Sequence, residues 1–99
     1  GEVLVDGPLD LLCALSPEGL ADKGLESPLE GRADVLIVPD IEAGNVLYKT
    51  LGLLVPGARF ASLLCGTTHP VVLTSRGDSV DVKIDSLALA ALRVLVGAR

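Results

Sequence analysis

Apolar residues along the chain fall into two kinds of run. Four are short and nearly unbroken, at residues 2–5, 35–38, 60–64 and 71–73. Each ends on a turn signal (Asp6-Gly7-Pro8, Pro39-Asp40, Cys65-Gly66 and Thr74-Ser75), which predicts strands. Residues 35–38, Val-Leu-Ile-Val, are apolar at four consecutive positions. That pattern suits a strand covered on both faces in a parallel sheet.

The other runs have helical spacing. Residues 9–23 carry Leu11, Leu12, Leu15 and Leu20, and Ser16-Pro17 predicts a split into two short pieces. Residues 42–54 carry Leu47, Leu51 and Leu54, an i, i+4, i+7 stripe. In the last stretch, Ile84, Leu87, Ala88, Ala91, Leu92 and Leu95 follow a 3.6-residue period, and Gly97 closes it. Asp78 is a candidate N-cap there, with Asp81 in a first turn that favours negative charge. Residues 24–31, with Pro28 and two glycines, read as a loop.

Strand, helix, strand, helix, strand, strand, helix is a short α/β series in one domain over residues 1–99. Right-handed crossovers would align the strand C-termini on one edge, where ligands bind in open α/β sheets. Pro39-Asp40-Ile41-Glu42 and Thr74-Ser75-Arg76-Gly77-Asp78 are expected on that edge.

Composition narrows the functional classes. The chain is 49% hydrophobic and 21% charged, with one Tyr, one Phe and no Trp. It should therefore fold around aliphatic packing, without an aromatic platform for stacking bases. The net charge of -5 and eight scattered basic residues argue against nucleic acid as a partner. No apolar run approaches the roughly 18 residues of a membrane span. Cys13 and Cys65, in apolar settings without CxxC spacing, read as two reduced, buried thiols. His69 is not spaced with them as a metal site requires, so no metal is expected.

Two stretches carry most of the chemistry. In LTSRGDS, residues 73–79, a strand feeds a helix whose first N–H groups are unpaired, a geometry that favours anions. Thr74 and Ser75 supply hydroxyls, Arg76 a fork for phosphate or carboxylate, and Gly77 close approach or a positive φ. A solvated turn with Asp78 capping its own helix and Arg76 merely exposed fits the spacing as well. In PDIEAGNVLYK, Asp40 is a natural N-cap and Glu42 suits the first turn. Gly44 is costly inside a helix, and Asn45 and Lys49 share a face. A capped amphipathic helix with a surface lysine is the competing account. No Ser-His-Asp triad, Walker loop or GxGxxG is present.

Taken together, ADVLIVPDIEAGNVLYKTL and VVLTSRGDS closely resemble the C-terminal part of the phosphate acetyl/butyryltransferase family. GPLDLLCALSPEGLADKG resembles the butyryl branch, and the similarity runs from Gly7 to about Ala91. The resemblance implies a three-layer α/β/α sandwich with a mostly parallel sheet, like isocitrate and isopropylmalate dehydrogenases. Two domains would flank a cleft. It also implies exchange of coenzyme A and phosphate on an acyl group, in a cytoplasmic homo-oligomer. Acyl-CoA and phosphate would be the partners, CoA serving as substrate and no redox cofactor being needed.

By the same resemblance, Ser75 would hydrogen-bond the reacting group and Arg76 would hold phosphate or developing charge. Acetyl-type members carry two adjacent acids six and seven residues after that serine, the second being the proposed base. Here these are Asp81 and Val82, so the base is unmatched and Asp81 is the candidate substitute. Thr67-Thr68-His69 replaces an expected lysine-containing turn. Asp40, Glu42, Asn45, Lys49, Thr74 and Gly77 are the candidate substrate-facing residues. The chain matches only the C-terminal third of family enzymes, which predicts no acyltransferase activity for it alone. A non-catalytic CoA- or acyl-phosphate-binding module and an oligomerisation module are the alternatives.

Overall fold

The computed structural model describes residues 1–97. It has four helices: α1 (Leu11–Leu15), α2 (Pro17–Asp22), α3 (Ile41–Leu54) and α4 (Val80–Val96). The chain divides into two compact units, Gly1–Ile41 and the remainder from Glu42 onward.

In the first unit the predicted split of residues 9–23 is present. Asp10 caps α1 by accepting the Cys13 N–H at 2.8 Å, and Ser16 caps α2 by accepting the Gly19 N–H at 3.1 Å. Pro17 opens α2, where its missing N–H costs nothing. The two helices pack around Cys13 (1% exposed), Ala14 and Leu20. Gly31 lies against the break between them at φ +69°, and a Cβ there would meet the Ser16 carbonyl carbon at 2.4 Å. Only glycine fits that approach. The Ala33 N–H then donates to the Ala14 carbonyl at 3.0 Å.

In the second unit, the segment after α3 is tied to both helices. The Phe60 ring meets Tyr48 of α3 edge-on at 4.9 Å between centroids. Arg59 makes a two-pronged bond to Asp85 of α4, at 2.8 and 3.0 Å. Ser86, fully buried in α4, accepts the Ser62 N–H at 2.9 Å and donates to the Val82 carbonyl at 2.7 Å. Gly97 ends α4 in the left-handed region at φ 66°, as its position predicts.

The expected α/β sandwich and its parallel sheet are absent: none of the four predicted strands forms among the described residues. Residues 2–5 and 35–38 form no ladder, and Glu2, Val3, Leu4 and Val35 line a cleft of about 400 Å³. Their apolar side chains face solvent, Val3 83% and Ile37 90% exposed. Residues 60–64 and 71–73 meet at one antiparallel bridge, the Leu64 N–H donating to the Val71 carbonyl at 2.9 Å. Beside it stands Pro70, which has no N–H to extend a ladder. A parallel strand needs neighbours along both edges and cover on both faces, and these runs find neither within the described residues. The shared sheet edge expected for the two motifs is therefore also absent.

Candidate functional site

The candidate site is built in the second unit by residues 75–78 and by α3. The turn closes on itself: the Asp78 N–H donates to the Ser75 carbonyl at 3.1 Å, and the Ser75 N–H donates to Asp78 Oδ2 at 2.7 Å. The other carboxylate oxygen, Oδ1, accepts the Tyr48 hydroxyl at 3.3 Å and lies 3.6 Å from Lys49 Nζ. Lys49 Nζ also stands 5.1 Å from the centre of the Tyr48 ring. The Asp78 side chain is only 8% exposed.

Electrostatics follow from those contacts. The Ser75 N–H and, after it, the Lys49 charge hold the Asp78 carboxyl below its usual range, against the opposing cost of burial. Burial and the adjacent carboxylate push the Tyr48 phenol above its ordinary value. The group is thus an anion that stays ionised beside a phenol that stays protonated.

Asp78 is not the helix cap. Ser79 caps α4, its Oγ accepting the Val82 N–H at 3.3 Å. The Ser75 N–H is used by Asp78 and is not free for an anion. Ser75 and Arg76 are exposed, and their side chains have no hydrogen-bond or ion-pair partner among the described residues. Thr74 is half-buried. Gly77 has no positive φ and open space where a Cβ would stand, so neither reason for glycine applies.

The remaining sequence candidates are dispersed. Glu42 and Asn45 are exposed on α3, Glu42 in its first turn. Lys49 is engaged with Asp78. Asp40 immediately precedes α3 and belongs to the first unit. Asp81 is exposed in the first turn of α4, with no bond or ion pair among the described residues. His69 is exposed beside Thr68, whose hydroxyl lies 3.2 Å from its Nδ1. Cys13 is buried as expected, but Cys65 is exposed; both are free thiols. No cluster of three His, Cys, Asp or Glu side chains that would hold a metal occurs among the described residues. Nor is any described helix long and apolar enough to cross a membrane.

Sequence reasoning missed Tyr48. It is the only tyrosine and stands directly before Lys49, so a hydroxyl and a cation leave the same turn of α3 together. The two motifs do meet, through Tyr48, Lys49 and Asp78 rather than at strand ends.

Comparison with known proteins identifies the lineage. The family profile described as phosphate acetyl/butaryl transferase matches residues 1–91. A phosphate acetyltransferase of Thermotoga maritima is 51% identical over 89 residues, 90% of this chain and 30% of that protein. A phosphate butyryltransferase of Clostridium acetobutylicum is 49% identical over 89 residues, again 90% of this chain but 29% of its own length. A probable phosphate butyryltransferase of Bacillus subtilis is 46% identical over 87 residues, 88% of this chain and 29% of that protein. The chain thus spans about 30% of the length of these relatives. No solved structure matches it. With nearly its whole described length matched, the chain belongs to the phosphate acetyl/butaryl transferase family.

Proposed function

We propose that the chain contributes the turn at residues 74–77 to a phosphate acyltransferase that converts acyl-CoA and phosphate to acyl phosphate and CoA. The observation that carries this reading is the exposed, uncommitted pair Ser75 and Arg76 on a turn whose own carboxylate is occupied elsewhere. A guanidinium with a hydroxyl beside it suits a phosphate oxyanion and the charge that develops as the thioester carbonyl is attacked. CoA enters as substrate, and no further cofactor is required by this scheme. Thr74 and Gly77 border the anion, while Glu42, Asn45 and Lys49 are the substrate-facing candidates of α3. The motif likeness favours the butyryl branch, whereas relatives named for acetyl and butyryl transfer match almost equally. A cytoplasmic location and association of copies complete the proposal. The exposed stripe Ile84, Leu87 and Leu95 on α4 supports the latter.

A non-catalytic binding module is favoured by one observation, Val82 at the position of the family's proposed base. Asp81 beside it is the only substitute in that turn, and it makes no contact that would orient it.

Titration of the isotopically labelled chain with inorganic phosphate tests the anion site. The Arg76 Nε–H and Ser75 amide resonances should shift, and Arg76→Ala should abolish the response. Shifts that persist in Arg76→Ala, or none in the parent, would refute the assignment. Calorimetric titration with CoA then separates a binding module from one that only self-associates.

A further inference from the structure

We infer that Asp78 is a positioning residue that fixes Ser75 and Arg76 to α3 through Tyr48 and Lys49. The inference rests on the proposed role of Ser75 and Arg76 and deepens it.

A carboxylate two residues from a phosphate-binding arginine would pair with that guanidinium and compete with phosphate unless something else engages its charge. Here both oxygens are engaged. Oδ2 takes the Ser75 N–H, and Oδ1 takes the Tyr48 hydroxyl with the Lys49 ammonium alongside. The carboxylate is therefore spent on the turn and the helix, leaving the Arg76 guanidinium without a competing ion pair. Helix capping does not explain Asp78, because Ser79 performs it.

The anchor is itself rigid. Tyr48 is held edge-on by Phe60, and a Cβ on Gly52, one turn further along α3, would already touch the Phe60 ring at 3.4 Å. Phe60 lies two residues before Ser62, whose N–H is bound by buried Ser86 of α4. Thus the turn is referenced to α3 by side chains and runs directly into α4 through Ser79. Ser75 and Arg76 project from a turn that Asp78 closes on itself and ties to α3, which is what preorganisation for an oxyanion demands.

Three variants of the full chain test the assignment: Asp78→Asn, Tyr48→Phe and Arg76→Ala, each with its helical content checked by circular dichroism. Phosphate affinity is read from the Arg76 Nε–H shift, or from the Ser75 amide shift in Arg76→Ala. The contact itself is read from phenolate absorbance, which reports Tyr48 alone because the chain has one Tyr and no Trp. Asp78→Asn should move the Tyr48 titration toward lower pH. Asp78→Asn and Tyr48→Phe should each weaken phosphate binding about three- to tenfold, the loss of one hydrogen bond, with helical content unchanged. Arg76→Ala should abolish binding. If Arg76-dependent phosphate binding survives both other substitutions at parental strength, the positioning role is overturned while the anion site stands. If the parent shows no Arg76-dependent binding, the anion site fails, and Asp78 is left as a purely structural link. An unmoved phenolate titration in Asp78→Asn would refute the contact directly.

Discussion

Ser86 shows how far a single side chain can depart from its sequence context. It sits among Ile84, Leu87 and Ala88, yet it is the residue of α4 that is fully buried, and its hydroxyl both accepts and donates. Ser86→Ala strands the Ser62 N–H, an omission that costs about 1–3 kcal/mol in a buried setting. A urea titration followed by Tyr48 emission should show the lower midpoint. Asp10 is the corresponding residue of the first unit. Its hydrogen bond from Lys23, then those from Cys13, bring its carboxyl from 3.8 down to about 2. The folded value lies below the unfolded one, so its stabilisation is complete above about pH 4 and is lost as pH falls toward about 2. In Asp10→Asn that acid limb should vanish from the Cys13 amide shift.

At the scale of elements, helices were legible and strands were not. The Ser16-Pro17 break, the 3.6-residue spacing of α3 and α4 and the Gly97 terminator are local signals, and each appears where expected. The runs at residues 2–5, 35–38, 60–64 and 71–73 carry strand-like composition. A strand exists only through partners, which composition does not name. Even for α4 the apolar stripe misidentified the packed face. Ile84, Leu87, Leu92 and Leu95 are exposed, while Val82, Asp85, Ser86, Ala90 and Arg93 are the more sheltered positions. Capping was read one residue early, because Asp78 and Ser79 are both good N-caps by type, and only geometry separates them. Replacing Ser79 by Ala should cost about 1 kcal/mol of α4 stability, seen as faster amide exchange at Val82. Asp78→Asn should leave that amide unchanged. Of the candidate site, the TSRG turn was legible as chemistry, whereas its tether to Tyr48 depended on contacts thirty residues apart in sequence.

For the whole molecule, the balance between buried and exposed apolar surface is unusual. Its apolar core among the described residues is Cys13, Ala14 and Leu20, all in the first unit. A mean hydropathy of +0.57 is therefore borne largely at the surface. The chain spans about 30% of its relatives' length, and oxyanion stabilisation is not assembled from part of a cleft. On the proposed function, a coupled assay of acyl-CoA phosphorolysis on this chain alone should give no turnover above background. Ready turnover would show that residues 1–99 contain a complete site.

The unequal environments of the two thiols have a practical consequence. Cys13 is shielded within the α1–α2 pair, where burial and then Asp10 push its thiol up, while Cys65 is open to solvent. A maleimide dye at neutral pH should attach at one position without any mutagenesis. A spin label or fluorophore there would report on the unit that contains Ser75 and Arg76. Under mild oxidation the same asymmetry favours covalent pairing of two molecules through Cys65 over closure of an internal ring.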